Sequence, residues 1–161
     1  RGLGDVYKRQ ALCLLLGFML GRKSKYEKRD YLKQFKIGKA TYSESLIYEA
    51  YGGLQNDGIM LAVYYDVDAA KIIHQLDSWE KINDSPTISS ILKNVSSYFG
   101  LDFVIPEIAS GNFFLYDNSQ HKELRSEAEM NTLLLHSEDV NFSLVVWDDE
   151  KHTIYIVEYR I

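Results

Sequence analysis

Residues 141–160, NFSLVVWDDEKHTIYIVEYR, constrain the fold more than any other stretch of the chain. Two runs rich in valine, isoleucine and aromatic residues, 142–147 and 153–159, flank a polar break at 148–152. β-branched and aromatic side chains suit a pleated, packed surface, so the pattern predicts an antiparallel hairpin. The first strand is apolar on both sides, Phe142, Leu144 and Val146 alternating with Val145 and Trp147, which places it inside a sheet. The second sets Tyr155, Val157 and Tyr159 against Ile154, Ile156 and Glu158, so one of its sides becomes wetter toward the end.

Residues 46–51 and 59–65 predict a second hairpin around GGLQNDG at 52–58, where Gly52, Gly53, Asp57 and Gly58 suit a loop with positive backbone angles. The loop lacks the Gly-Lys-Ser/Thr ending of a phosphate loop, and a strand follows it, so it reads as a turn. Asp66 or Asp68 can cap a short helix whose stripe is Ala69, Ile72, Ile73 and Leu76, leaving Lys71 and His74 outside. A longer helix begins at Ser85 and Pro86, carries Ile88, Ile91, Leu92 and Val95 on one side, and stops at Gly100. Trp79, between the two, is expected to plug the edge of the core. Residues 101–106 read as extended, because positions before proline avoid the helical region, and 113–116 as a strand. The stretch 117–140 is too long for a structureless connection, so regular structure is expected near 124–135. The fold class that results is α+β: an antiparallel sheet of about five strands with two helices packed on one face.

The N-terminal part reads differently. Residues 1–10, RGLGDVYKRQ, back-translate in frame to a transposase-type sequencing adaptor and are set aside as an expected artefact. Residues 11–21, ALCLLLGFMLG, are apolar and uncharged but supply only about half of the roughly 20 residues a spanning helix needs. They are expected to be a truncated transmembrane or signal-anchor segment, with a cleaved signal peptide and a buried helix as the other readings. Residues 22–43 form a basic juxtamembrane linker, and 44–161 the folded domain. Lysine and arginine beside a membrane segment favour the cytoplasmic leaflet, but the rule compares two flanks and only one is given. A single-pass protein of the cell membrane is the expectation, with the side of the domain left open.

The formal net charge is −5, of which residues 1–10 carry +2 and residues 22–39 carry +6, leaving −13 on residues 40–161. So acidic a body repels phosphate backbones, and nucleic acid is not an expected partner. The one cysteine, Cys13, lies in the apolar run, so the domain has no disulfide. His74, His121, His136 and His152 show no metal-ligand spacing, and Asp66, Asp68 and the acidic turn at 148–150 are accounted for by capping and turn roles. Neither a metal nor a cofactor is expected. No Gly-x-Ser-x-Gly elbow or His-Glu-x-x-His run occurs, and no catalytic residue is assigned.

Tyrosine is the more informative residue type. If helices cover one face of the sheet, part of the strand tyrosines lies on the other, where tyrosine is enriched at partner contacts. Tyr48, Tyr64, Tyr116, Tyr155 and Tyr159, with Trp147, are the candidate binding residues; an ordinary half-exposed sheet is the competing reading. The segments EAYGGLQNDG, IPEIASGNFFLYD and NFSLVVWDDEKHTIYIVEY, with Trp79 between the first two, resemble small membrane-anchored or exported proteins of Gram-positive gut bacteria. The resemblance implies anchoring and an α+β fold but no catalytic residue. Ala50 and Tyr51 stand where it calls for a histidine. Three functions are therefore expected candidates: a membrane-tethered, non-catalytic binding or accessory domain that meets a basic protein partner, an immunity-type inhibitor of a basic toxin, and an enzyme with an unrecognised carboxylate site.

Overall fold

In the computed structural model, which describes residues 31–52, 57–82, 85–99, 105, 107–136 and 140–160, the expected hairpin is the middle of the sheet. Its strands β6 (Asn141–Asp148) and β7 (Thr153–Arg160) pair in register from Asn141↔Arg160 to Asp148↔Thr153. On one side β2 (Asp57–Tyr65) lies against β7, and β1 (Glu44–Gly52) against β2. On the other, β4 (Gly111–Asp117) pairs with β6. Two short strands, β3 (Glu80–Lys81) and β5 (Lys122–Leu124), share the outer side of β4. The order is β1-β2-β7-β6-β4-β3, and every pair is antiparallel. The sheet thus has seven strands rather than the five or so expected, because β3 and β5 are two and three residues long and too short to show alternation.

Side-chain alternation divides the apolar strand residues between two faces. Leu61, Val63, Leu115, Leu144, Val146 and Val157 lie on one, under α3 (Pro86–Tyr98) and α4 (Glu127–His136). Met60, Ala62, Val145, Trp147, Ile154 and Ile156 lie on the other. That second face is covered by α1 (Tyr31–Gln34), the 3-10 turn Ala69–Lys71 and α2 (Ile73–Leu76). The expectation of two helices on one face is corrected here: the 69–76 segment and α3 sit on opposite faces. Central strands that are apolar on both sides need a cover on both sides, since exposed apolar area costs about 25 cal/mol per Å². Of the expected 69–76 stripe, Ile72 and Leu76 are buried while Ile73 is 51% exposed, because the segment breaks into a 3-10 turn and a single α turn.

The folded unit is Tyr31–Ile161, so residues 31–43 of the expected linker belong to it, with Tyr31, Leu32 and Ile37 buried. Among the described residues no helix is long and apolar enough to cross a membrane. The expected N-terminal membrane helix, the membrane partner and the cell-membrane location are corrected on that finding. Residues 1–10, 11–21 and 22–30, on which the adaptor, anchor and juxtamembrane readings rest, lie outside the described residues, as do 53–56, 100–104 and 106.

Local chemistry explains the element ends. α1 closes with a Schellman motif: the Ile37 amide donates to the Leu32 carbonyl (2.8 Å) and the Lys36 amide to that of Lys33 (3.0 Å), with Lys36 at φ 61°. The β4–β5 and β6–β7 connections use the same five-residue device, Asp117-Asn-Ser-Gln-His121 and Asp148-Asp-Glu-Lys-His152. Each aspartate Oδ1 accepts from the amides two and three residues on (2.8 and 3.0 Å; 3.0 and 3.1 Å), and each histidine takes a positive φ. Ser85 caps α3 as expected, accepting from the Ile88 amide at 3.3 Å. Glu127 of α4 adds a second cap, accepting from Ser85 Oγ (2.7 Å), the Thr87 amide (3.0 Å) and the Thr87 hydroxyl. Burial raises the Glu127 carboxyl, but the Thr87 and Ser85 hydroxyls and the Thr87 amide outweigh it and hold it below its ordinary value.

Two outcomes follow for the full chain in urea titrations. Lys36→Gly relieves a left-handed residue whose side chain is exposed and raises stability by about 1 kcal/mol, whereas Asp148→Ala strands two turn amides and lowers it by about 2 kcal/mol. Because the folded Glu127 carboxyl is depressed, its contribution is present above the unfolded pKa and is lost as pH falls through the folded one. Stability measured down through the acid range should therefore fall less steeply in Glu127→Gln than in the parent; equal slopes would remove the cap from this account.

Candidate interaction surface

The two lateral edges of the sheet differ in kind. At one end the outer side of β4 is occupied by short β3 and β5, which carry Glu80, Lys81, Lys122 and Glu123. Short, charged edge strands discourage further pairing. At the other end is β1, nine residues long, paired with β2 without interruption from Glu44↔Tyr65 to Gly52↔Asp57. It contains no proline and no lysine, and no strand among the described residues pairs with its outer side. A strand edge of that length, with no neighbouring strand among the described residues, is a template for another strand.

The register assigns the β1 side chains. Leu46, Tyr48 and Ala50 share the α3 face with Val63, Leu61 and Ile59, and Tyr48 packs against Phe99 with ring centroids 5.8 Å apart. Ser45, Ile47, Glu49 and Tyr51 share the α1 face, where Ile47 is 39% exposed. The β1–β2 turn is fixed by close approach: a Cβ on Gly58 would come within 2.3 Å of the Ala50 carbonyl oxygen. Gly52 and Asp57 close the pairing, so the connection is shorter than the seven residues expected, and Gly53 lies outside the described residues.

On the α1 face, β1 is fastened to the rest by polar groups. Glu49, Met60, Glu158, Ser143 and Tyr116 stand in one row across five strands. The Tyr31 hydroxyl donates to Glu49 Oε1, and Gln34 Nε2 donates to Glu158 Oε1 at 2.8 Å. The Tyr51 hydroxyl and Arg160 Nη2 lie 3.5 and 3.6 Å from Glu158 Oε2. Glu158 is 1% exposed, and a buried carboxylate is tolerable only with such partners. Burial, then the Glu49 carboxylate at its hydroxyl, push the ionisation of Tyr31 well above the ordinary tyrosine value. The cluster fastens α1 to the sheet.

The six aromatic residues singled out from the sequence do not form one surface. Tyr48, Tyr155 and Tyr159 are on the α3 face, Tyr155 buried and Tyr159 stacked on Phe142. Tyr64, Tyr116 and Trp147 are on the α1 face, Tyr64 and Trp147 buried and Tyr116 stacked on Phe114. The indole of Trp147 donates to Asp149 and stacks on His152 at 5.9 Å. Helical cover lies over both faces, with Tyr48, Tyr116 and Tyr159 half-buried beneath it, and the membrane-tethered role is corrected because no helix among the described residues can cross a membrane. The residues that sequence reasoning passed over are Tyr31 and Gln34, hidden in a charge run whose apolar positions, Tyr31, Leu32, Phe35 and Ile37, fit one helical turn and its cap.

If the Tyr31–Glu49 contact fastens α1, a double-mutant cycle of Tyr31→Phe and Glu49→Gln in the full chain should return a coupling of about 1–2 kcal/mol, as for hydrogen bonds to charged groups. The raised Tyr31 ionisation holds its proton more tightly in the folded state, so its contribution is complete below the unfolded pKa and is lost as pH rises through the folded one. Tyr31→Phe should accordingly flatten the alkaline fall in stability. No family model, curated protein or solved structure matches this chain.

Proposed function

We propose that this α+β domain is a self-assembly module, in which β1 takes a β1 strand from a second copy and continues the sheet across two chains. The observation that carries the reading is the contrast between the edges: one blunted by two short charged strands, the other a nine-residue unbroken strand. The choice of a second copy rests on the strand's own sequence, ESLIYEAYG. A two-fold axis through Ile47 keeps each face of the sheet on its own side. Leu46 then meets Tyr48 of the second copy, Ser45 meets Glu49 and Glu44 meets Ala50. No glutamate faces another, and apolar residues face one another at the centre. Like charges directly opposite would count against such a pair.

Sedimentation of the full chain at high micromolar concentration should give twice 18.6 kDa. Ile47→Lys, which places a charge on the edge, should return the single-chain mass with unchanged circular dichroism. In the parent, amide exchange over β1 should slow as concentration rises. A single-chain mass at every concentration overturns the proposal, and so does a dimer whose β1 amides exchange at a concentration-independent rate. Capture of a strand from a different protein in place of a second copy also counts against it.

A further inference from the structure

Helix α3 lies across the width of the sheet. At its N-terminal end Ser85 and Pro86 line one recess with Lys81 of β3 and Phe113 of β4, and Glu127 caps the helix there. At the other end the Phe99 ring packs against Tyr48 of β1, with centroids 5.8 Å apart. The lengths agree: the 13 residues of α3 rise about 20 Å, and the strand spacings from β4 through β6, β7 and β2 to β1 come to about 19 Å. The helix therefore runs out at the β1 edge. Its last residue, Tyr98, stands edge-on to Phe99 with centroids 5.4 Å apart. Tyr98 is 60% exposed, more than any other large apolar side chain among the described residues.

We infer that Tyr98 is a contact residue between two copies of this chain: in the dimer the Tyr98 and Phe99 rings of each copy close over Leu46 and Tyr48 of the other, so that the helical layer continues across the join as the sheet does. The inference rests on the β1 self-assembly reading. A two-fold axis through Ile47 sets Tyr48 opposite Leu46 of the second copy and makes the two Tyr48 residues diagonal neighbours, about 7–8 Å apart and within reach of aromatic side chains. Each Tyr48 carries its own Phe99, and the axis keeps both α3 ends on the same side of the sheet, so the two pairs of rings meet over the join. The surface suits itself. The last turn of α3, Val95-Ser-Ser-Tyr98, bears no charged side chain, and neither Leu46 nor Tyr48 does, so closing the two ends together opposes no like-charged side chains. Strand pairing supplies backbone hydrogen bonds that water also offers, whereas aromatic rings desolvated near the centre of an interface carry much of its affinity.

In the full chain, Tyr98→Ser should raise the dimer dissociation constant measured by sedimentation about tenfold. The circular dichroism and urea midpoint of the dilute variant should stay those of the parent, because the side chain is already in water there. Ser89→Ala, exposed on α3 but toward its other end, should leave the dissociation constant unchanged. In dimers mixed from isotope-labelled and unlabelled parent chains, the Tyr98 ring protons of one copy should show cross-relaxation to the Leu46 methyls of the other. A dimer paired through β1 whose dissociation constant is the same in Tyr98→Ser overturns the inference and leaves the β1 reading standing. So does one in which Ser89→Ala weakens association equally, or in which no contact between Tyr98 and Leu46 crosses the chains. A single-chain mass at every concentration overturns both.

Discussion

The central strands are apolar on both of their faces, and most of the architecture follows from having to keep both dry. Met60–Val63 of β2, Leu144–Trp147 of β6 and Ile154–Val157 of β7 are buried without a break. A sheet covered on one side alone would leave half of these residues in water. The chain therefore sends α3 and α4 over one face and spends its short helical pieces, α1 and the 69–76 segment, on the other. The second cover is thin. α2 has four residues, a length at which an isolated helix has no stability, so it persists through what it touches, and the described residues of α1 are held in the same way.

What they touch is partly polar, and this is where the buried carboxylates belong. Glu158, buried toward the end of β7, serves as the fixed point for Gln34, while the exposed Glu49 on β1 does the same for Tyr31. Asp117 and Asp148, also buried, are consumed in turns, and Glu127 in capping α3. Among the described residues three carboxylates, Asp117, Asp148 and Glu158, are thus internal, each held by named donors. Glu129, held down to about 2 by Lys122, the Arg125 amide and the Ser126 hydroxyl, shows the same economy at the start of α4.

The parts of the fold that were legible in the sequence are those with a period long enough to repeat. The two hairpins and α3 fall where alternation, the Ser85-Pro86 start and the Ile88, Ile91, Leu92, Val95 stripe place them. The rest was hidden for physical reasons. β3 and β5 end before alternation can register, and α4, EAEMNTLLLH, buries Met130 and Leu133 but exposes Leu134, so no clean stripe marks it. Its Ser126-x-x-Glu129 capping box was the available signal. So was the repeated Asp-x-x-x-His spacing, which does without glycine in both turns. Tyrosine marked the strands but not their faces, because its preference for strands is indifferent to the face it occupies. The edge contrast has no one-dimensional trace, since it depends on which strands among the described residues lie alongside.

The α1 clasp has a consequence for how the domain comes apart. Among the described residues α1 meets the sheet through the Tyr31–Glu49 and Gln34–Glu158 hydrogen bonds and a few apolar contacts, and layers with few contacts open before the rest. When α1 lifts, Glu158 loses Gln34, and Met60, Ala62 and Ile156 meet water together. That partly opened form would be sticky on a face the closed form conceals. A version of the chain shortened to the first strand residue would live in that state permanently, prone to aggregate although every strand of its sheet were intact.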